Sequence, residues 1–177
     1  MENNISELNY MIKQYKILHN KKQNYGKTSE QDKRVKIIQE IIDEVKPTSL
    51  LDYGCGKSSM IDKIHIDGFI KHKYDPAINK FKNIPLDSYD IITNTDVMEH
   101  IPESGILYIL NDINRLTNNV LFIISTKKAC IKLPNGQNCH VTIKSKDWWL
   151  NTISNIFNKA SIINKYTIKN LVCIKTW

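Results

Sequence analysis

The spacing of apolar residues predicts two helices at the start of the chain. Apolar side chains recur at helical intervals in the first twenty residues, at Ile5, Leu8, Ile12 and Tyr15. A second helix, with Thr28 or Ser29 as its expected cap, ends before Pro47, because the residue before a proline disfavours helical backbone. Residues 1–46 are therefore predicted to form a helical lead-in.

Beyond Pro47 the pattern changes to alternating short apolar runs and helical segments. Strands are predicted at 49–52, 69–74, 89–93 and 120–124, with helices at 58–65, from about Pro102, and after a Ser145 cap. This alternation implies a mostly parallel sheet with right-handed crossovers and helices on both faces. Residues 161–166 and 171–175 are expected to close the sheet as an antiparallel pair. The prediction is one α/β domain over residues 1–177, with a Rossmann-like core over 47–177.

Length and polarity narrow the class of protein. A chain of 177 residues suits one domain with one sizeable core. No apolar run approaches the roughly 20 residues of a membrane span. The polar start, Met1-Glu2-Asn3-Asn4, is unlike a secretory signal. We therefore expect a cytoplasmic protein that does not enter the membrane.

The cysteine spacing and the net charge limit which metal sites and binding partners are expected. The four cysteines are scattered and form no C-x-x-C pair, which argues against a structural zinc site or a disulfide framework. No metal site is expected. The net charge of +7 leaves an anionic or nucleic-acid partner open. Because the lysines are spread along the whole chain, an ordinary solvated basic surface is favoured.

A glycine turn at residues 50–56, Leu-Leu-Asp-Tyr-Gly-Cys-Gly, carries the strongest chemical signal. Two glycines at this spacing let the backbone bend sharply and approach a ligand closely. A dinucleotide needs a third glycine or alanine where this chain has Ser59, and Asp52 would repel a diphosphate. S-adenosylmethionine (SAM) is cationic at its ammonium and sulfonium, so an acid is favourable there. Asp75, at the end of the second strand, is placed for the ribose hydroxyls of either ligand.

The glycine turn resembles the first motif of the class I SAM-dependent methyltransferases, Asp-x-Gly-x-Gly. Residues 88–102 are similar to the strand-four motif of that family, which often ends in Val-Leu-Glu-His-Ile; this chain has Val-Met-Glu-His-Ile at 97–101. The two motifs occur in the right order, and the resemblance covers roughly residues 48–125.

This resemblance implies SAM as the methyl donor and a set of cofactor-binding residues: Asp52, Tyr53, Gly54, Gly56, Asp75, Asp96 and Val97. Tyr25 and Gly26 of the lead-in are expected to fold over the methionine end. One departure is clear. About fifteen residues separate Asp75 from Asp90, too few for the helix and strand that the family normally has there. The sheet is therefore expected to lack one strand, and no residue can be assigned to adenine.

His100 and His140 are the candidate catalytic residues, since imidazole titrates near neutral pH. His140 lies on the loop after the last parallel strand, which begins with Lys127 and Lys128 and could hold an anionic substrate. Methyl transfer is a direct displacement, so positioning alone can suffice. A small-molecule methyl acceptor is favoured. The chain has neither the Asp/Asn-Pro-Pro-Tyr/Phe motif of amino methylation nor the Pro-Cys nucleophile of cytosine chemistry. RNA methylation, a non-catalytic SAM-binding module and a dinucleotide oxidoreductase stay as alternatives.

Overall fold

The computed structural model describes residues 2–26, 32–65, 68, 70–166 and 168–177. Its helices are α1 Glu2–Lys21, α2 Asp32–Val45, α3 Ile106–Asn114 and α4 Lys146–Ser154. Its strands are β1 Ser49–Tyr53, β2 Ile70–Tyr74, β3 Ile91–Thr95, β4 Val120–Ser125, β5 Ser161–Ile162 and β6 Leu171–Lys175. Among the described helices, none combines the length and apolar character needed to cross a membrane.

The six strands form one sheet in the order β2-β1-β3-β4-β6-β5. The first four are parallel, while β6 runs antiparallel to β4 and β5 antiparallel to β6. Every residue of β3 and β4 is buried, because a central parallel strand is covered on both faces, and this explains the continuous apolar run of β4. The predicted α/β class and the closing antiparallel pair are confirmed.

Alternate strand residues pack against helices on opposite faces of the sheet. Leu51 belongs to the cluster that α3 and α4 cover, with Leu110 and Trp149 among its members. Leu50 belongs to the second cluster, with Ile38 and Ile42 of α2. Helices therefore cover both faces, as the strand–helix alternation predicts.

Several boundaries differ from the prediction. Residues 58–65 form only a short 3₁₀ helix, Met60–Lys63, because the Ser58 hydroxyl accepts the Met60 N–H and Ile64 bonds back to Ile61. The helix predicted from about Pro102 starts with a 3₁₀ turn at Glu103–Gly105 before α3. β5 is two residues long, not six. The expected cap at Thr28 or Ser29, and Phe69, lie outside the described residues.

The segment between β2 and β3 is short, as the sequence indicates. Between Tyr74 and Ile91 the chain forms one 3₁₀ turn, Asn79–Phe81, and no helix or strand, and every residue there is described. β2 is consequently an edge strand of the sheet. The Ser145 cap is confirmed, since its hydroxyl accepts the Trp148 N–H at 3.1 Å.

Candidate functional site

The glycine turn after β1 uses its backbone N–H groups internally. The N–H groups of Gly54 and Cys55 both donate to the Tyr74 carbonyl, at 2.8 and 3.0 Å. The Gly56 N–H donates to Asp75 Oδ2 at 2.9 Å. Within the described residues 57–65, which come directly after the turn, the chain forms a 3₁₀ helix and no α-helix. The cradle of free N–H groups at a helix N-terminus, on which a diphosphate rests, is therefore missing from residues 54–56.

Both glycines of the turn have backbone conformations that favour glycine, with φ of 86° at Gly54 and 54° at Gly56. A Cβ on Gly54 would lie 2.4 Å from Val97 Cγ2, so the turn after β1 packs directly against the turn after β3. Gly26 lies across the turn: its Cβ would come within 2.8 Å of His19 Cε1 and 3.2 Å of the Lys57 nitrogen. The lead-in segment thus covers the glycine turn.

Asp52 lies beneath the turn instead of at its mouth. Its side chain is buried, Oδ1 accepts the Thr93 hydroxyl at 3.2 Å, and Oδ2 has no hydrogen-bond partner. Burial raises the pKa of Asp52 to about 7. The structure therefore places this acid behind the cavity described below, and its charge reaches a ligand only through the turn.

The carboxyl group of Asp75 fixes the end of β2 against the glycine turn. Its two oxygens accept N–H groups from Gly56 and Ala77. Burial raises the pKa of Asp75, although these two hydrogen bonds oppose the effect. Asp75 lines the cavity, and each carboxylate oxygen retains a lone pair for a further donor.

Asp96 follows β3 in a left-handed conformation, with φ of 54°. Its Oδ1 pairs with Arg34 Nη2 at 2.9 Å, and the two side chains are 18% and 9% exposed. Its Oδ2 is buried without a hydrogen-bond partner. A buried carboxylate oxygen without a donor is costly, so this atom is available to a ligand's N–H or O–H group.

A cavity of about 790 Å³ lies at the carboxyl ends of the four parallel strands. That volume is within the range of about 300–1,000 Å³ typical of small-molecule sites, and this edge is where ligands bind in open α/β sheets. The cavity brings together most of the predicted site residues: Tyr25, Gly26, Tyr53, Gly54, Gly56, Asp75, Asp96, Val97, His100 and His140. Asp52 is not part of the lining. Lys127 and Lys128 are exposed residues on its wall.

His100 and His140 meet although forty positions separate them. Their ring centroids are 4.8 Å apart, and Glu99 lies beside them, with one ligand-type atom from each of the three within 4.8 Å of the others. Burial and His140 lower the pKa of His100 to about 3, so its imidazole is neutral. Burial and Asp96 raise the pKa of Glu99 well above its usual value. A carboxylate and two imidazoles at this spacing are one group of residues that could hold a metal ion.

Three residues at the cavity are not marked by any sequence pattern. Tyr15 and His19 on α1 line the cavity, and Arg34 pairs with Asp96. The helical spacing of Tyr15 is equally typical of a core residue, and no local motif marks Arg34 or His19. Their roles depend on where α1 and α2 pack, which is a long-range property.

The geometry defines a class of protein: an open α/β fold with a nucleoside-sized cavity at its strand ends, closed by a lead-in helix. The sequence matches the family described as methyltransferase domain over residues 20–172. The chain belongs to this family, which confirms the predicted resemblance to the class I SAM-dependent methyltransferases. No protein of curated function matches the sequence.

Solved structures share this fold at low sequence identity. The methyltransferase domain of bacterial CtHen1 is 12% identical with a TM-score of 0.58, covering 82% of this chain and 98% of that one. The small RNA methyltransferase HEN1 is 16% identical with a TM-score of 0.55, covering 81% and 24%. The Burkholderia thailandensis 1,6-didemethyltoxoflavin-N1-methyltransferase is 10% identical with a TM-score of 0.54, covering 80% and 76%. At these identities the likeness concerns the fold.

Proposed function

We propose that this protein transfers a methyl group from SAM to a small-molecule acceptor bound in the same cavity. The observation that carries the proposal is the glycine turn, whose N–H groups at residues 54–56 are already bonded to the Tyr74 carbonyl and the Asp75 carboxylate. These N–H groups have no hydrogen bond left to donate to a diphosphate, and two nearby acids would repel its negative charge. A cationic nucleoside meets no such electrostatic repulsion.

The residues present fit SAM. Gly54, Gly56 and Gly26 let the backbone of the turn and the lead-in come close to a ligand. The unpaired Oδ2 of Asp96 suits the ammonium group, and the free lone pairs of Asp75 suit the ribose hydroxyls. Tyr53 and Val97 complete the proposed binding set, and Tyr25 covers it.

Bound SAM would supply a methyl group activated by its sulfonium, and transfer of that methyl to the acceptor's lone pair would leave the carbon–sulfur electron pair on S-adenosylhomocysteine. The chain's part is to hold the acceptor in line and to exclude water. His100 and His140 each have one ring nitrogen held by a carbonyl and the other free. As catalytic candidates, they would receive the acceptor's proton on that free nitrogen.

Binding calorimetry tests the cofactor. S-adenosylhomocysteine should bind with one site per chain, and NADH should not bind. Asp75→Asn should weaken S-adenosylhomocysteine binding at least about tenfold, since it removes a charge-assisted acceptor. Asp87→Asn, an exposed control, should leave binding unchanged. Binding of NADH in preference to S-adenosylhomocysteine would refute the proposal.

A nucleic-acid acceptor is the second candidate, favoured by the exposed Lys127 and Lys128 on the cavity wall. Tritiated SAM offered with a deproteinised metabolite extract and with purified RNA separates the two. Label in the metabolite fraction supports the small molecule. Label in RNA, with binding that weakens steeply as salt rises, supports the nucleic acid instead.

A further inference from the structure

A carboxylate and two imidazoles converge on the cavity at a place that the SAM-binding set does not use. The ligand-type atoms of Glu99, His100 and His140 lie within 4.8 Å of one another. We propose that these three side chains bind a divalent transition-metal ion. The site is distinct from the glycine turn and from Asp75.

The hydrogen bonds of the two histidines fix their ring tautomers. His100 Nδ1 lies 2.9 Å from the Cys139 carbonyl oxygen, and His140 Nδ1 lies 2.5 Å from the Lys127 carbonyl oxygen. A carbonyl only accepts, so each Nδ1 carries a proton, and the lone pair that either imidazole can offer to a metal ion lies on Nε2. Metal-binding histidines typically have this arrangement, with the far nitrogen anchored to a carbonyl or carboxylate.

Only one of the two carboxyl oxygens of Glu99 has a hydrogen-bond partner. Glu99 is fully buried, its Oε1 accepts the Ser125 N–H at 3.0 Å, and its Oε2 has no hydrogen-bond partner. A buried carboxylate oxygen without a partner costs free energy unless a cation or donor meets it. A metal ion between Oε2 and the two Nε2 atoms removes that cost.

The two segments that carry the ligands are held together by hydrogen bonds. The Tyr15 hydroxyl lies 3.1 Å from the His100 carbonyl and 2.7 Å from the Cys139 carbonyl. The Thr142 N–H donates to the Glu99 carbonyl at 3.1 Å. Helix α1 and the 139–142 loop therefore keep His140 beside Glu99 and His100. This bracing is the outer shell that a metal site needs.

The chemical types of the three ligands favour some metal ions over others. Two imidazoles and one carboxylate suit Zn²⁺, Mn²⁺, Fe²⁺ or Co²⁺, whereas Mg²⁺ and Ca²⁺ prefer oxygen ligands alone. Ligand atoms of one such ion lie about 3.3 Å apart, so side-chain movements of about an ångström close the site. His100 and His140 line the cavity while Glu99 lies behind them, which leaves an open coordination position toward the cavity.

This position has a consequence that rests on the proposed function. A coordinated Nε2 no longer takes a proton, so His100 and His140 would act through the ion and not as general bases. An acceptor oxygen at the open position would lose its proton more readily, as water does on a catalytic metal. A hydroxyl-bearing acceptor is the class that this arrangement fits.

A cobalt titration of the EDTA-treated, SAM-free protein tests the site. We expect one equivalent of Co²⁺ to bind and to produce visible d–d absorption, with Mg²⁺ binding far more weakly. Glu99→Gln and His140→Gln should each weaken Co²⁺ binding about 100-fold or more, since loss of an outer-shell partner alone costs about 10–100-fold. His65→Gln, which changes an exposed histidine elsewhere, should leave binding unchanged.

His140→Gln keeps the test decisive if the buried Glu99→Gln does not fold, because His140 is only half-buried. The proposal is overturned if the wild-type protein shows no saturable binding at millimolar Co²⁺, or if both variants bind as the wild type does. An intense sulfur-to-cobalt band would overturn it too, by assigning the ion to a cysteine. Binding of S-adenosylhomocysteine, measured separately, decides the proposed cofactor whatever the metal result.

Discussion

Gly54→Ala tests the contact between the glycine turn and the turn after β3. Alanine at φ of 86° costs about 1–2 kcal/mol in backbone strain. Its methyl group would also lie 2.4 Å from one methyl of Val97 and 2.7 Å from the other, and such overpacking costs about 1–3 kcal/mol. The free energy of unfolding should therefore fall by about 2–5 kcal/mol.

Gly136→Ala separates the two contributions. Gly136 has φ of 87° and no atom within 4 Å of an added Cβ, so alanine there meets backbone strain alone. It should cost about 1–2 kcal/mol. The excess cost of Gly54→Ala over this control measures the clash with Val97.

Urea denaturation of Gly54→Ala, Val97→Ala and the double variant completes the cycle. Removing the Val97 methyls should relieve the steric clash of Gly54→Ala but not its backbone strain. The two substitutions should therefore show a favourable coupling free energy of about 1–3 kcal/mol. Gly54→Ala should also weaken S-adenosylhomocysteine binding, since it moves the turn that lines the cavity. Additive costs, or equal costs for Gly54→Ala and Gly136→Ala, would show that the two turns are not in contact as described.

Three further changes test the electrostatics of the site. Burial raises the pKa of Asp52 from 3.8 to about 7, so the protonation of Asp52 favours the folded state below pH 4 and this contribution is lost by pH 7. The free energy of unfolding should therefore fall by up to about 4 kcal/mol between pH 4 and pH 7 in urea denaturation. Asp52→Asn should remove this pH dependence. Tyr15→Phe should weaken Co²⁺ binding about tenfold in the same titration while leaving its ligands intact. Arg34→Met should cost about 3 kcal/mol in urea denaturation by leaving the Asp96 carboxylate uncompensated. Arg115→Met breaks an exposed pair and should cost under about 1 kcal/mol; equal costs would contradict the burial argument.

Strand positions are the part of the fold that local sequence determines best. Residues 120–124 are an uninterrupted apolar run, and β4 is buried at every position, so the pattern has one good structural solution. The segment at 58–65 is predicted to be an α-helix because Met60, Ile61 and Ile64 have helical spacing, and these three residues are indeed buried. A single 3₁₀ turn buries the same three side chains, and hydrophobic periodicity does not separate the two over so few residues.

The glycine turn is visible in the sequence because its residues are contiguous, but the position of the Asp52 side chain is not. A motif gives the order of residues along the chain, while the strand pleat decides which side of the turn a side chain occupies. Asp52 points into the sheet toward Thr93, so the acid expected at the mouth lies behind it. The occupied N–H groups of the turn therefore disfavour a diphosphate more than the charge of Asp52 does.

The short segment between β2 and β3 changes what encloses the cavity. With β2 at the edge of the sheet, an aromatic pair lies on this side of the cavity: Tyr74 of β2 packs against Tyr53 of β1 with ring centroids 4.8 Å apart, and both line the cavity. The Tyr53 hydroxyl is held by Asp112 Oδ2 at 2.6 Å. A fixed aromatic pair offers a flat apolar surface that depends on no additional strand.

The Glu99, His100 and His140 cluster cannot be predicted from local sequence patterns. The sequence predicts His100 and His140 as separate catalytic candidates and gives no sign that they meet. Their meeting depends on the Tyr15 hydroxyl, which joins the His100 and Cys139 carbonyls from a helix more than eighty positions away. No periodicity or motif encodes a three-segment contact of that kind. Because Tyr15 fixes the backbone beside both histidines, the approach of the two imidazoles depends on the packing of α1.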